Sequence, residues 1–435
     1  MRPTKPAFYP LRESALRYHG AWPLIRTVVH AVGAAPYELP PEDAERLRVL
    51  ARSAAILTPN HPTPAEGPTL YLIGHKLRHR YIHCGAHEIY SQLGPFGPHL
   101  LSAACFSICR RAVDFPAYNT ARSLLAARRN LVLFPEGELS GMSDRLLPFE
   151  RGAAQIAFWS IAPLHAAHPD APLYLVPIAI KYRETGDAPG EMRASLQRLE
   201  ERFVLPPTTE HGALWRLHRI EDAFLAAREA ELGLPVEPAG SFDARWTRLR
   251  AALEIRAAIA LGVPSPDAEL TVPQRARELL TAWNEAWDRA APRKGGTVWT
   301  ELRRVHADIA LLNRFMGFDE NYVAAWPSVE RFGDYLRRIE VQVFGRHHFR
   351  YRRIGRVRVG APLDVAPLLA DYRRDKRAMV ATVTADLKSR IAGLLDALTR
   401  ELTVPWPAAL DPVDRAGRSD DSDAAYTAAA QGGSA

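Results

Sequence analysis

Three short apolar runs constrain this chain most. "AAILT" (54–58), "LVLF" (131–134) and "LYLVPIAI" (173–180) each have strand composition, and each runs into a loop or turn. Helical pattern separates them, as at 69–78 and 119–129. Runs this short and this apolar are buried strands, and strand–helix–strand spacing builds layered α/β structure on a largely parallel sheet. In such sheets ligands bind beyond the carboxyl ends of the strands, so the loops after these runs are the first place to look for chemistry.

The loop after the first run reads "NHPTPAEGPTL" (60–70). Pro62 and Pro64 forbid regular helix through His61, and Pro68 suits the first turn of a helix starting near 67–68. Glu66 then sits at that helix start, where its carboxylate can turn back to the imidazole. A carboxylate on one ring nitrogen fixes the tautomer and leaves the other nitrogen free as a base. A His and a Glu in one loop can equally be a surface pair.

Further along, "LVLFPEGELSG" (131–141) carries a strand into Phe-Pro-Glu-Gly, where Gly137 lets backbone approach a ligand. "LLPFERGAAQIAF" (146–158) and "LVPIAIKY" (175–182) follow. The order N-H-x(4)-E, F-P-E-G, P-F-x-x-G-A, V-P-I-x-I resembles the PlsC-type glycerolipid acyltransferases, the 1-acyl-sn-glycerol-3-phosphate acyltransferase family. The family pattern is N-H-x(4)-D, an arginine motif, F-P-E-G-T-R-S and a V-P strand. The resemblance covers about 50–185. It implies an α/β, glycerol-3-phosphate acyltransferase-like layered sheet with flanking helices, His61 as general base and Glu66 as its orienting carboxylate. Glu136 and Gly137 would shape the acceptor site, and Arg110 (or Arg111) of "ACFSICRR" (104–111) would be the motif arginine. The implied partners are an acyl thioester donor, acyl-CoA or acyl carrier protein, and a lysolipid acceptor such as lysophosphatidate. No cofactor is implied, and no G-x-S-x-G elbow provides for a covalent acyl-enzyme.

The sequence departs from the family pattern at Glu66, which replaces aspartate, and at Glu138-Leu139-Ser140, which replaces Thr-Arg-Ser. The family's arginine there grips the acceptor phosphate. Leu139 cannot, which leaves Arg110, Arg145, Arg151 or Lys181 to supply the charge, or an acceptor without a phosphomonoester. A non-catalytic lipid-binding relative and a thioester hydrolase are the other readings.

Residues 187–345 are rich in Ala, Leu, Arg and Glu and read as helices. Val298, Leu302, Val305, Ile309, Leu312 and Met316 make the clearest seam. "FRYRRIGRVRVGAPLDV" (349–365) returns to strand alternation, and 367–402 is helical again. Because the resemblance implies a final strand and helix that read like "VGAPLDV" and a charged helix, the expectation is a helical insertion inside one acyltransferase domain, with an independent C-terminal domain as the alternative. The expected divisions are an amphipathic arm (1–44), the domain's first part (45–186), the insertion (187–345), a closing strand and helix (346–403) and a disordered tail (404–435).

Within the arm, Tyr18, Trp22, Ile25, Val29 and Val32 share one helical side, which fits either a headgroup-level anchor or packing on the domain. Arg350, Arg352, Arg356 and Arg358 share one strand face, which fits either anion contact or a solvated face opposed by acids. His75, His79, His83 and His87 recur every fourth residue, but Gly85 and the strand-like "RYIHC" (80–84) keep them off a common face, so no metal site is expected. With 56 Lys+Arg against 49 Asp+Glu, the net +7 tilts towards anionic partners, and without a recognition motif nucleic acid is not among them. Cys84, Cys105 and Cys109 read as reduced thiols. No run approaches the ~18 apolar residues of a membrane span, and "MRPTKPAFYPLRES" lacks a signal peptide's apolar core. The expectation is a cytoplasmic protein, peripheral at the inner membrane face.

Overall fold

The computed structural model describes residues 8–12, 14–31, 34–92, 101–109, 114–208, 211–236, 241–290, 296–314, 321–324, 327–349, 353–402, 406–407 and 410. The chain divides into two compact units. The first joins Met1–Arg183 to Arg353–Glu401; the second joins Glu184–Arg352 to Leu402–Ala435.

The first unit opens with α1 (Ala15–Gly20), α2 (Trp22–Ala31), β1 (Ala34–Glu38) and α3 (Pro41–Leu50). The residues expected to share one helical side thus fall, where described, on two helices, Tyr18 on α1 and Trp22, Ile25 and Val29 on α2. Next come β2 (Ala54–Pro59), α4 (Glu66–Lys76), β3 (Ile82–Ala86), α5 (His87–Gln92) and β4 (Cys105–Ile108). Then follow α6 (Phe115–Ala126), β5 (Asn130–Val132), α7 (Gly152–Ala167) and β6 (Leu173–Glu184). The chain comes back to this unit with β7 (Arg353–Val359) and β8 (Leu363–Asp364), which are followed by two more helices.

The sheet runs β1-β7-β6-β2-β5-β3-β4, with β8 on β6. The β2–β5, β2–β6, β3–β5, β3–β4 and β1–β7 pairs are parallel, and β8 is antiparallel. All six residues of β2 are buried, as a central strand covered on both faces requires. On one face Ala55, Leu57, Val132, Val176, Ile178, Ile180, Val357 and Val359 pack with Leu70 and Ile73 of α4. This layer fixes the start of α4 against the carboxyl end of β2, where the N-H-x(4)-E loop lies. Asp114 caps α6 by accepting from the Ala117 N–H at 3.0 Å, with Pro116 in the first turn.

The second unit contains α8 (Ala188–Arg202), α9 (Ala213–Glu231), α10 (Phe242–Leu261), α11 (Val272–Ala290), α12 (Thr297–Arg314), α13 (Asn321–Ala324) and α14 (Val329–Phe344). Buried carboxylates staple it: Arg337 grips Glu184 bidentately at 2.6 and 2.8 Å, and Arg245 meets Glu229 at 2.8 Å. The two helices that follow β8 are α15 (Leu369–Arg374) and α16 (Lys376–Leu402).

Tyr18 is buried: its carbonyl accepts from the Tyr71 hydroxyl and its own hydroxyl accepts from the Tyr81 N–H at 3.2 Å. It therefore packs on the domain and cannot be an anchor, whereas Trp22 stays on the surface, stacked on His75. Val32 and the side chain of Val29 lie outside the described residues, as do Met316, Arg350, Arg352 and nearly all of 404–435. Arg356 and Arg358 are met by acids, Arg356 by Glu38 and Glu401 at 2.7 Å each and Arg358 by Asp43 at 2.8 Å.

Candidate active site

β2 ends at Pro59, and the next residue continues the sheet with its side chain. The Asn60 amide donates to the Ile180 carbonyl at 3.0 Å and accepts from the Ile180 N–H at 2.7 Å, as one more strand residue would. His61 follows, and its backbone is held from both sides. Glu136 Oε1 accepts from its N–H at 2.6 Å, and its carbonyl accepts from the Ser140 N–H at 2.9 Å. The Gly141 N–H reaches the Pro62 carbonyl at 3.0 Å, so the post-FPEG loop and the histidine loop form one cross-linked block.

The His61 ring lies with Nδ1 at 2.9 Å from Glu66 Oε2, and its face is stacked on Phe134. Its side chain is 20% exposed, whereas that of Glu66 is 0% exposed. Glu66 begins α4, one residue before the start expected from Pro68. Its carboxylate is saturated: Oε2 also accepts from the Thr63 N–H at 2.9 Å, and Oε1 accepts from the hydroxyls of Thr63 and Tyr182, each at 2.5 Å. With Nδ1–H spent on the carboxylate, Nε2 is left as the basic nitrogen of a partly open ring.

Glu136 is buried under this loop, and its second oxygen accepts from the Leu147 N–H at 2.8 Å. Burial pushes its carboxyl up to about 7, against the pull of the two backbone N–H groups. Its carboxylate is turned to backbone, so it shapes the site by fixing the loops. Gly137 takes the left-handed conformation (φ 69°) and its N–H closes the turn on Phe134 O at 3.1 Å.

Lys181 is fully buried, with Nζ at 3.6 Å from Asp144 Oδ2. Arg151 is exposed at the N-cap of α7. Arg110 lies outside the described residues. Among the described residues no cluster of three or more His, Cys, Asp or Glu could hold a metal ion. The histidines at 75, 83 and 87 sit on α4, β3 and α5. Sequence reasoning missed Thr63, Phe134 and Tyr182. The available signal was alternation along β6, which sets Tyr182 on the same buried side as Ile178 and Ile180.

A mostly parallel sheet whose loop after β2 presents a histidine on a buried carboxylate is consistent with an acyltransferase fold, and residues 41–181 match the family model described as Acyltransferase. That model describes the family of PlsC-type 1-acylglycerol-3-phosphate acyltransferases, to which the matched segment is similar. It ends within β6, so β7 and α16 lie beyond it. No curated protein matches the chain. No described helix is long and apolar enough to cross a membrane.

Proposed function

We propose that this protein moves a fatty acyl group from acyl-CoA or an acyl carrier protein to a hydroxyl of a lysolipid, with lysophosphatidate as the first acceptor to test. The observation that carries this reading is the His61–Glu66 pair, 2.9 Å apart, with the carboxylate sealed and the imidazole partly open. His61 Nε2 takes the proton of the acceptor hydroxyl as its oxygen attacks the thioester carbonyl. Glu66 stabilises the imidazolium that forms. Collapse of the tetrahedral intermediate releases the thiolate, and the imidazolium proton neutralises it. The chemistry needs no cofactor and no covalent acyl-enzyme.

Leu139 favours a second acceptor class, since a leucine offers no charge to a phosphomonoester. Under that reading the acceptor is a hydroxylated lipid without a terminal phosphate. Exposed Leu16, Trp22 and Leu24, with Arg26 over the Trp22 ring at 6.0 Å, support contact with a lipid surface from which such an acceptor is drawn.

The test incubates purified protein with palmitoyl-CoA and a panel of lysolipids with and without phosphomonoesters, and identifies products by mass spectrometry. A diacyl product that vanishes with His61→Ala supports acyl transfer, and the preferred acceptor separates the two classes. Free fatty acid alone points to hydrolysis. Intact thioester with both CoA and carrier-protein donors counts against catalysis.

A further inference from the structure

Glu66 stands one methylene further from the backbone than an aspartate would, and a longer carboxylate has more ways to miss an imidazole. Two hydroxyls remove that freedom. Thr63 Oγ1 accepts from the Ala65 N–H at 3.1 Å and gives its own proton to Glu66 Oε1. Tyr182 donates to the same oxygen across 116 residues of chain, its hydroxyl 3.4 Å from Thr63 Oγ1. Burial drives the Tyr182 phenol well above its ordinary value, helped by the charge on Glu66, so it remains an O–H donor.

Tyr182 is itself held by β7. A Cβ at Gly355 would lie 3.2 Å from Tyr182 Cε1, so only glycine lets the ring lie this close to β7 unmoved. The Arg353 guanidinium covers the ring at 4.7 Å. Both contacts come from a strand that enters the sheet after the helical unit, beyond the segment matched by the family model.

We propose that Tyr182 is a positioning residue of acyl transfer: its phenol fixes the Glu66 carboxylate, and through it the Nδ1–H tautomer of His61, while β7 fixes Tyr182. This rests on the reading of His61 as general base. Glu66 then serves where an aspartate would otherwise be expected because the phenol and the Thr63 hydroxyl set its reach.

The decisive experiment is nitrogen NMR of the full-length protein labelled at histidine, with His61→Ala assigning the ring. The wild-type ring is expected as the Nδ1–H tautomer. In Tyr182→Phe, a mixture of tautomers is expected. With palmitoyl-CoA and lysophosphatidate, kcat falls about 10- to 100-fold at unchanged KM, the range one buried hydrogen bond to a charged group supports. Glu66→Asp combined with Tyr182→Phe is expected to lose less than the product of the single losses. Gly355→Ala, which only nudges the ring, should move the His61 signals in the same direction. It serves as the folded variant should Tyr182→Phe melt early. His61 signals unchanged in both variants overturn the proposal. Full activity in His61→Ala would reject the general-base reading instead, and the ring signals would still report whether Tyr182 sets the tautomer.

Discussion

The imidazole of His61 and the phenyl ring of Phe134 lie face to face, 3.9 Å between centroids and 18° between planes. With Nδ1 tied to Glu66, the stack removes the last rotation by which Nε2 could wander. An aromatic pair of this kind is worth about 0.5–1.5 kcal/mol beyond its buried area. Phe134→Leu should therefore lower kcat about 2- to 10-fold, with a smaller change in KM. Initial rates at saturating thioester check this, and a wild-type kcat in the variant would remove orientation as the role of the ring.

Glu136 gives the fold a pH dependence of a particular sign. Its carboxyl sits at about 7 in the folded protein, against an ordinary 4.5. Between those values the native state holds a proton that the unfolded chain has released. Stability from this group is complete below about 4.5 and is lost as the pH rises through about 7, by at most ~3 kcal/mol. Urea titrations at pH 5 and pH 7.5 should show this decline in the wild type and not in Glu136→Gln. Equal slopes in the two proteins would point to other groups.

Asn60→Ala strands the Ile180 N–H and carbonyl in the interior, since both bond to the Asn60 amide. Each buried orphan costs about 1–3 kcal/mol, so a loss of roughly 2–5 kcal/mol is expected. The variant should also lose activity more steeply than stability, because the bridge sets where His61 begins. A denaturation midpoint within error of wild type would sink this account of the bridge.

The Lys181–Asp144 pair is enclosed, with 1% and 2% of the two side chains exposed. Lys181→Met removes the ammonium and leaves the carboxylate in the interior, a change that costs about 3–5 kcal/mol. Adding Asp144→Asn should restore most of that loss. If the single variant is as stable as wild type, the pair carries no structural role and Lys181 returns to consideration as a headgroup contact.

Much of the central sheet could be read from sequence because β2, β5 and β6 are near-continuous apolar runs, which buried parallel strands require. β1 could not: "AAPYE" holds a proline and a glutamate, and its strand partner β7 lies more than 300 residues away. The same distinction governs the site. His61 and Glu66 are five residues apart and their pairing followed from local geometry. Alternation along β6 sets Tyr182 on a buried side, but that it meets Glu66 depends on the sheet bringing β6 beside β2. The F-P-E-G stretch marked its turn correctly, but the direction of the Glu136 side chain depends on the Leu147 and His61 N–H groups, which sequence does not place. Alternation put Arg356 and Arg358 on one face; that Glu38, Asp43 and Glu401 answer them emerges only from the fold.

The position of β7 also governs how the protein is made. It fills the place between β1 and β6, yet it is translated after the whole helical unit. Strands β2 to β6 can assemble as soon as they leave the ribosome. β1 must wait for its partner, roughly 15 to 60 s at ordinary synthesis rates. The edge of β6 is open, and the Tyr182 ring without its cover, for the later part of that interval, roughly 8 to 34 s, so the nascent chain then presents two unpaired strand edges to chaperones and to other chains.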